Sequence, residues 1–249
     1  MIAHGTPLDR LIVVDNQSTD ETCDYLEGLP LGGRIFNQHN LGCGTAWNQG
    51  VLALQSEWSI IMNNDVIVSS CWIENLIQAA ENLNLKVISP ALIEGPLDYD
   101  FDSFSHDANQ RMRNVIRLDS KHAVCLAVHK SVWQDVGYFQ PIPKLLGYED
   151  TLFFHELKRA KIQTAITGSS WLHHFGSVTQ TAMKLERGLS QKDGLANRYN
   201  YKLLKQSWLT RKINKFQTKR LQASARNSEV AQYGMSVHGQ REHGEFVWI

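Results

Sequence analysis

No excess of one charge marks this chain: 25 basic and 25 acidic side chains balance across 249 residues. No global field therefore draws it to nucleic acid or to an anionic membrane. Long apolar runs are missing too. The longest, such as Trp58–Met62 and Ala123–Val128, are far too short to span a bilayer. The first thirty residues hold no basic segment followed by an apolar one, so no secretory signal is expected. Cysteine is scarce: Cys23, Cys43, Cys71 and Cys125 have neither metal-ligand pairing nor dense disulfide spacing, and a cytoplasmic location is expected. Internal repeats and low-complexity runs are absent. What remains, 43% hydrophobic residues in a chain of this length, fits a soluble globular protein with a substantial core.

Strand and helix signals alternate along the first half. Leu11–Val14 is a continuous apolar run of the kind buried on both faces, followed by a polar turn and a helix to about Leu29. Arg34–Phe36 predicts a strand, Gly42–Leu54 a helix, Ser59–Met62 a strand, Trp72–Leu83 a helix and Lys86–Ser89 a strand. This alternation argues for an α/β fold with a mostly parallel sheet flanked by helices. Gly95–Asp107, acidic and turn-rich, predicts a loop or small hairpin. A strand at Ala123–His129, a helical turn at Lys130–Val136 and a helix at Asp150–Ala160 follow. Thr164–Ile166 predicts a strand, and Trp171–His174 a strand end or loop. Beyond about 180, Leu185–Leu209 suits a helix, Thr210–Ala225 is strongly basic, and the last twenty residues are expected to be mobile. The boundaries expected are one domain at 1–180 and a helical C-terminal extension with a mobile tail at 181–249.

The strongest chemical signal is Asn63-Asn64-Asp65, three small polar residues ending an apolar strand. Oxygen ligands there, at the crevice of an open α/β sheet, suit Mg²⁺ or Mn²⁺, the ions that accompany diphosphates; a plain turn is the alternative. Asp15 and Asn16 end the first strand, where an Asx turn and helix cap compete with a ligand contact. Asn40, Gly42 and Asn48 surround a helix entry whose glycine permits close backbone approach to an anion, or only the entry itself. Glu149 and Asp150 open a helix, where acidic residues also serve as dipole partners. His173 and His174 are adjacent on one strand, so at most one of them reaches a metal. Trp171 suits either sugar stacking or the core. Arg211, Lys212, Lys215, Lys219 and Arg220 fit a solvated helix face or a contact with an anionic acceptor or surface.

Taken in order, Val13–Asp20, Asn40-Leu41-Gly42 with Asn48-Gln49-Gly50, Met62–Asp65, Val136–Phe139, Gly147–Asp150 and His173–Ser177 resemble the family 2 glycosyltransferases of the GT-A fold, over roughly residues 8–180. The resemblance implies a GT-A, Rossmann-like sheet and a metal-dependent transfer of a hexose from a nucleoside diphosphate sugar to a glycan or other hydroxyl acceptor, with inversion. UDP-glucose or another UDP-sugar is the implied donor. Asp15, Asn16, Asn40, Gly42, Asn48, Asn63, Asn64 and Ser177 would contact the donor. Asp65, Asn63 and His173 would hold Mn²⁺ or Mg²⁺. Asp150 would be the base, with Glu149 orienting the acceptor or substituting for it.

The chain departs from that pattern at its start. An apolar strand and a helix normally precede the Val-Val-Asp strand, and only about ten residues do so here. A vacant place in a sheet leaves backbone groups unpaired. Direct pairing of the neighbouring strands, a partner subunit, as in a homo-oligomer, or the C-terminal segment would have to fill it. Two rival functions follow: a nucleotide-sugar- or glycan-binding module without turnover, or a nucleotidyltransferase. The second ordinarily needs a Gly-rich phosphate loop after the missing strand.

Overall fold

The computed structural model describes residues 4, 6–141, 149–176 and 207–249, the side chains of Trp208 and Arg211 apart. The centre of the fold is a parallel pair, β5 (Val87–Glu94) and β8 (Thr164–His174). On the free edge of β5, β7 (Cys125–His129) pairs antiparallel at the start, and β3 (Trp58–Met62) pairs antiparallel with β7. On the outer edge of β8, β6 (Ile116–Leu118) and β4 (Val66–Val68) pair antiparallel at opposite ends. The sheet is thus mixed rather than mostly parallel, within an α/β architecture that otherwise matches expectation.

The alternation of side chains along β5 and β8 sorts the layers. One face, with Val68, Leu92 and Leu172, packs against α3 (Trp72–Asn82) through Trp72, Leu76 and Ala80. The opposite face is covered at the β3–β7 end by α2 (Cys43–Leu54), α5 (Lys130–Val136) and α6 (Glu149–Arg159), around Val51, Ile61, Val128, Phe139 and Phe153. At the other end Ile93 and Trp171 meet α4 (Phe101–Met112). This helix occupies the region expected as a loop. Asp100 caps it, accepting a hydrogen bond from the Ser103 N–H at 3.1 Å, and Phe101, Ala108 and Met112 are its buried face.

β8 is one strand of eleven residues, not two pieces. Gly168, Ser169 and Ser170 bulge out opposite the step from Pro90 to Ala91, where proline has no N–H to give the ladder. His122 stabilises this break. Its Nε2 bonds the Pro90 carbonyl at 2.8 Å, while the Cys125 N–H approaches its Nδ1 at 3.4 Å, an arrangement that fits only the neutral ring. Burial lowers this imidazole from 6.5 to about 4. The unfolded chain therefore takes up the proton first, and stability is full above pH 6.5 and falls towards pH 4. The loss should reach about 1–3 kcal/mol. Denaturant unfolding across that range checks it, with His122→Asn expected to flatten the slope.

The chain's end is ordered. After α7 (Trp208–Tyr233), β9 (His238–Glu242) and β10 (Glu245–Trp248) form a hairpin, and β9 pairs in parallel with the end of β5. The loop is two residues, His243 and Gly244, both at positive φ (51° and 79°), which suits the twist of a tight hairpin. Phe246 stacks on Phe104 with ring centroids 4.8 Å apart. At the base, Arg117 donates to both oxygens of Glu229 and to Ser236, all three residues buried. The C-terminal extension therefore continues the central sheet, with residues 177–206 outside the described part.

β1 (Ile12–Asp15) and β2 (Gly33–Phe36), joined through α1 (Thr22–Glu27), form a separate parallel pair. α2 spans from it to the main sheet, with Gly50 against Val14 and Val51 against Ile61. β1 and β3 do not pair with each other, and the C-terminal hairpin joins β5. Among the described residues, neither direct pairing of β1 with β3 nor the C-terminal segment joins the two sheets.

Candidate active site

Asp65 follows β3, and its backbone carbonyl accepts the Phe175 N–H at 3.1 Å, which ties it to the end of β8. The two adjacent histidines part company there. His173 shares a sheet face with Trp171 and is fully buried, its Nδ1 at 2.9 Å from the Tyr99 hydroxyl and its ring among Phe101 and Phe175. His174 faces the other way, with Nε2 at 3.2 Å from Asp65 Oδ1 and Nδ1 at 3.3 Å from Glu94 Oε1. The residue beside Asp65 is thus His174, not His173. His173 shares the face of Trp171 and His174 that of Leu172; both faces are buried, so strand parity in the sequence does not choose between them. Trp171 itself is buried, its Nε1 donating to the Gly168 carbonyl, and offers no face to a sugar.

Burial opposes charge on His174, but Asp65 and Glu94 outweigh it and raise the imidazole to about 9. Hydrogen bonds from His174 and His238 hold the Glu94 carboxyl well below its usual range. Burial lowers His173.

The acidic pair arrives from the other side. Glu149 is buried and Asp150 half-buried at the start of α6, where Asp150 Oδ1 accepts the Thr151 N–H at 2.7 Å. α6 approaches α2 so closely at Gly44 that an added Cβ would lie 2.9 Å from Glu149 Cβ and 3.2 Å from Phe139 Cβ. Beside Gly44, the Cys43 thiol is raised first by burial, then by the charges of Glu149, Asp65 and Asp150. Cys43 nonetheless keeps an exposed surface.

The remaining candidates are largely committed to the scaffold. The Asp15 carboxylate accepts the Gln17 and Ser18 N–H groups, each at 3.0 Å, and the Ser18 hydroxyl, so the Asx turn accounts for it. Asn16 donates to the Gly42 carbonyl at 3.2 Å and accepts from Asn37, which forms a reciprocal amide pair with Gln49 at 2.9 Å. Asn40 accepts the Gly42 N–H at 3.0 Å, and Gly42 enters α2 at φ 85°. Asn48 spends both ends of its amide on the Phe139 backbone, at 2.8 and 3.0 Å. Asn63 is half-buried and Asn64 exposed, while Ser177 lies outside the described residues. Gln49, Asn37 and Glu94 joined the site unannounced, because their partners are distant in sequence. The exposed Lys212, Lys215, Lys219 and Arg220 lie on α7.

Gly44 sets up a direct test. An alanine in a helix interior normally gains about 1 kcal/mol over glycine. Here its Cβ meets atoms close to the α6 backbone, so overpacking of about 1–3 kcal/mol should win. Gly44→Ala is expected to lower the unfolding midpoint, which thermal unfolding measures.

These features, Asp65 in the turn between β3 and β4 and a helix opening with two carboxylates on an α/β sheet, fit a glycosyltransferase of the GT-A fold. The sequence profile of glycosyl transferase family 2 matches residues 2–141, and the chain belongs to that family. No curated protein matches. Among solved structures, the fold is similar to that of GalNAc-T7, crystallised with UDP, GalNAc and Mn²⁺ (TM-score 0.51, 11% identity, 80% of this chain and 48% of that one). It is likewise similar to S. aureus TarS 1-349 in complex with UDP (TM-score 0.50, 15% identity, 68% of this chain and 53% of that one). The chain thus spans about half the length of these neighbours. Among the described residues no helix is long and apolar enough to cross a membrane.

Proposed function

We propose that the protein transfers a hexose from a UDP-sugar to a hydroxyl acceptor with inversion, using Asp150 as base and a divalent cation beside Asp65 and His174. The observation that carries this reading is His174 Nε2 at 3.2 Å from Asp65 Oδ1 at the end of β8, on a fold whose α6 opens with Glu149 and Asp150. Among the described residues no three His, Cys, Asp or Glu side chains are grouped to hold an ion. Two nevertheless fit one. His174 Nε2 is buried against Asp65 Oδ1 at 3.2 Å, and on taking up an ion it would release the proton that this pair holds. Two donors side by side, one with its outer nitrogen fixed by a carboxylate, suit Mn²⁺ or Mg²⁺ once a diphosphate supplies further oxygens. The cation would neutralise charge on the departing diphosphate. Asp150 takes the proton from the acceptor hydroxyl as that oxygen attacks the anomeric carbon and UDP leaves. The buried Glu149 supports the start of α6 rather than meeting solvent.

The similarity to neighbours crystallised with UDP, one of them also with Mn²⁺, supports the choice of donor and ion. The alternative is a nucleotide-sugar-binding module without turnover; Asp15, held by its own turn, bears on donor contact in either case. Calorimetric titration with UDP and a panel of nucleotide sugars separates the readings, first with Mn²⁺ and then with EDTA. Metal-dependent binding of one donor, lost on chelation and followed by transfer to an acceptor, is the expected result. Binding unaffected by EDTA would sink the metal assignment, and binding without any transfer would favour the module.

A further inference from the structure

We propose that His238, the first residue of the C-terminal hairpin, is a positioning residue of the donor site, orienting Glu94 and through it His174. The proposal rests on the reading of Asp65 and His174 as the cation's protein donors. Glu94 ends β5 between two strands, and its two oxygens are divided between them: Oε1 meets His174 Nδ1 at 3.3 Å and Oε2 meets His238 Nε2 at 3.1 Å. The register makes this possible, since Glu94 lies opposite His174 on one side and His238 lies opposite Leu92 on the other. All three side chains therefore project from the same face of the sheet. A carboxylate held at only one oxygen is free to turn about its last bond. Held at both, it fixes the plane of the His174 ring and so the direction of Nε2, the arrangement that tunes metal-ligating histidines.

The hairpin is itself held firmly. The Val237 N–H donates to Glu229 Oε2 at 3.1 Å, Arg117 binds Glu229 and Ser236, and the His238 N–H reaches Ser236 Oγ at 3.4 Å. A second arm from the same hairpin reaches the neighbouring histidine. Arg241 donates to Asp98 at 2.6 Å and lies over the rings of Phe246 and Tyr99, and the Tyr99 hydroxyl bonds His173. Both adjacent histidines are thus set from a segment that lies beyond the region matched by the family profile.

The test compares His238→Ala and His238→Gln in the full chain. The readouts are free Mn²⁺ by electron paramagnetic resonance in the presence of UDP, donor KM and kcat, and the unfolding midpoint. His238→Ala should weaken Mn²⁺ binding about tenfold, within the range typical for partners behind a metal ligand, with little change in midpoint because the side chain is half-buried. His238→Gln keeps a donor for Glu94 and should recover most of that affinity. A purely structural role would lower the midpoint and leave the Mn²⁺ affinity of the folded protein intact. Wild-type affinity in His238→Ala overturns the proposal and leaves the metal reading standing. Absence of Mn²⁺ binding by the wild-type protein, with UDP still bound, removes both.

Discussion

Asp150→Asn is expected to lower kcat for sugar transfer by about a thousandfold, within the range for loss of a general base, while UDP and Mn²⁺ bind as before. The geometry makes this substitution clean. Asp150 Oδ1 is held by the Thr151 N–H at 2.7 Å and its hydroxyl at 3.4 Å, contacts that the amide oxygen of asparagine reproduces. The start of α6 should therefore stay in place, and the unfolding midpoint should barely move. What disappears is the ability to accept a proton. Glu149 supplies the contrast, because it is buried and packed against the α2 backbone at Gly44, so Glu149→Gln acts on the α2–α6 contact as well as on chemistry. Steady-state kinetics with calorimetry of UDP binding separate the two effects. Near-normal turnover in Asp150→Asn would move the base elsewhere and revive the binding-module reading.

Much of this arrangement is legible in the sequence, and the limits have physical causes. The apolar runs at Ile12–Val14 and Trp58–Met62 and the amphipathic Trp72–Asn82 report themselves, because each is long or apolar enough to override its neighbours. α4 hides because its buried face includes Ser105 among Phe101, Ala108 and Met112, diluting the apolar period, although Asp100 and Ser103 spell a cap. β8 looks broken because Gly168-Ser169-Ser170 is a bulge whose cause, Pro90, lies on another strand. The hairpin's turn, His243-Gly244, lacks the Asn or Asp that normally announces it. The site follows the same logic. Asp65 stands out in the polar turn that interrupts an apolar run, and Glu149 and Asp150 because they open a helix. Glu94, His238 and Asn37 are found only when distant strands are laid side by side. The choice between His173 and His174 turns on which face of β8 meets Asp65, and with Trp171 on one face and Leu172 on the other both read as core.

Glu229→Ala should carry the largest stability loss in the chain. Arg117 and Glu229 form a buried pair, at 2.9 and 2.6 Å, with side-chain exposures of 6% and 9%. Removing one partner strands a guanidinium away from water and takes the acceptor from the Val237 N–H, a cost of about 3–5 kcal/mol. For a chain of this length that corresponds to a fall in unfolding midpoint of roughly 10 °C. The double variant Arg117→Met with Glu229→Gln should recover most of the loss, since no charge remains buried and the glutamine oxygen still receives the Val237 N–H. Thermal unfolding of the singles and the double closes the cycle. A small loss in Glu229→Ala would mean that the junction of α7 with β9 is not held by this pair. A large loss accompanied by weaker Mn²⁺ binding at temperatures where the protein remains folded would tie the junction to the donor site. The route runs from Glu229 to Val237, then through His238 and Glu94 to His174 beside Asp65.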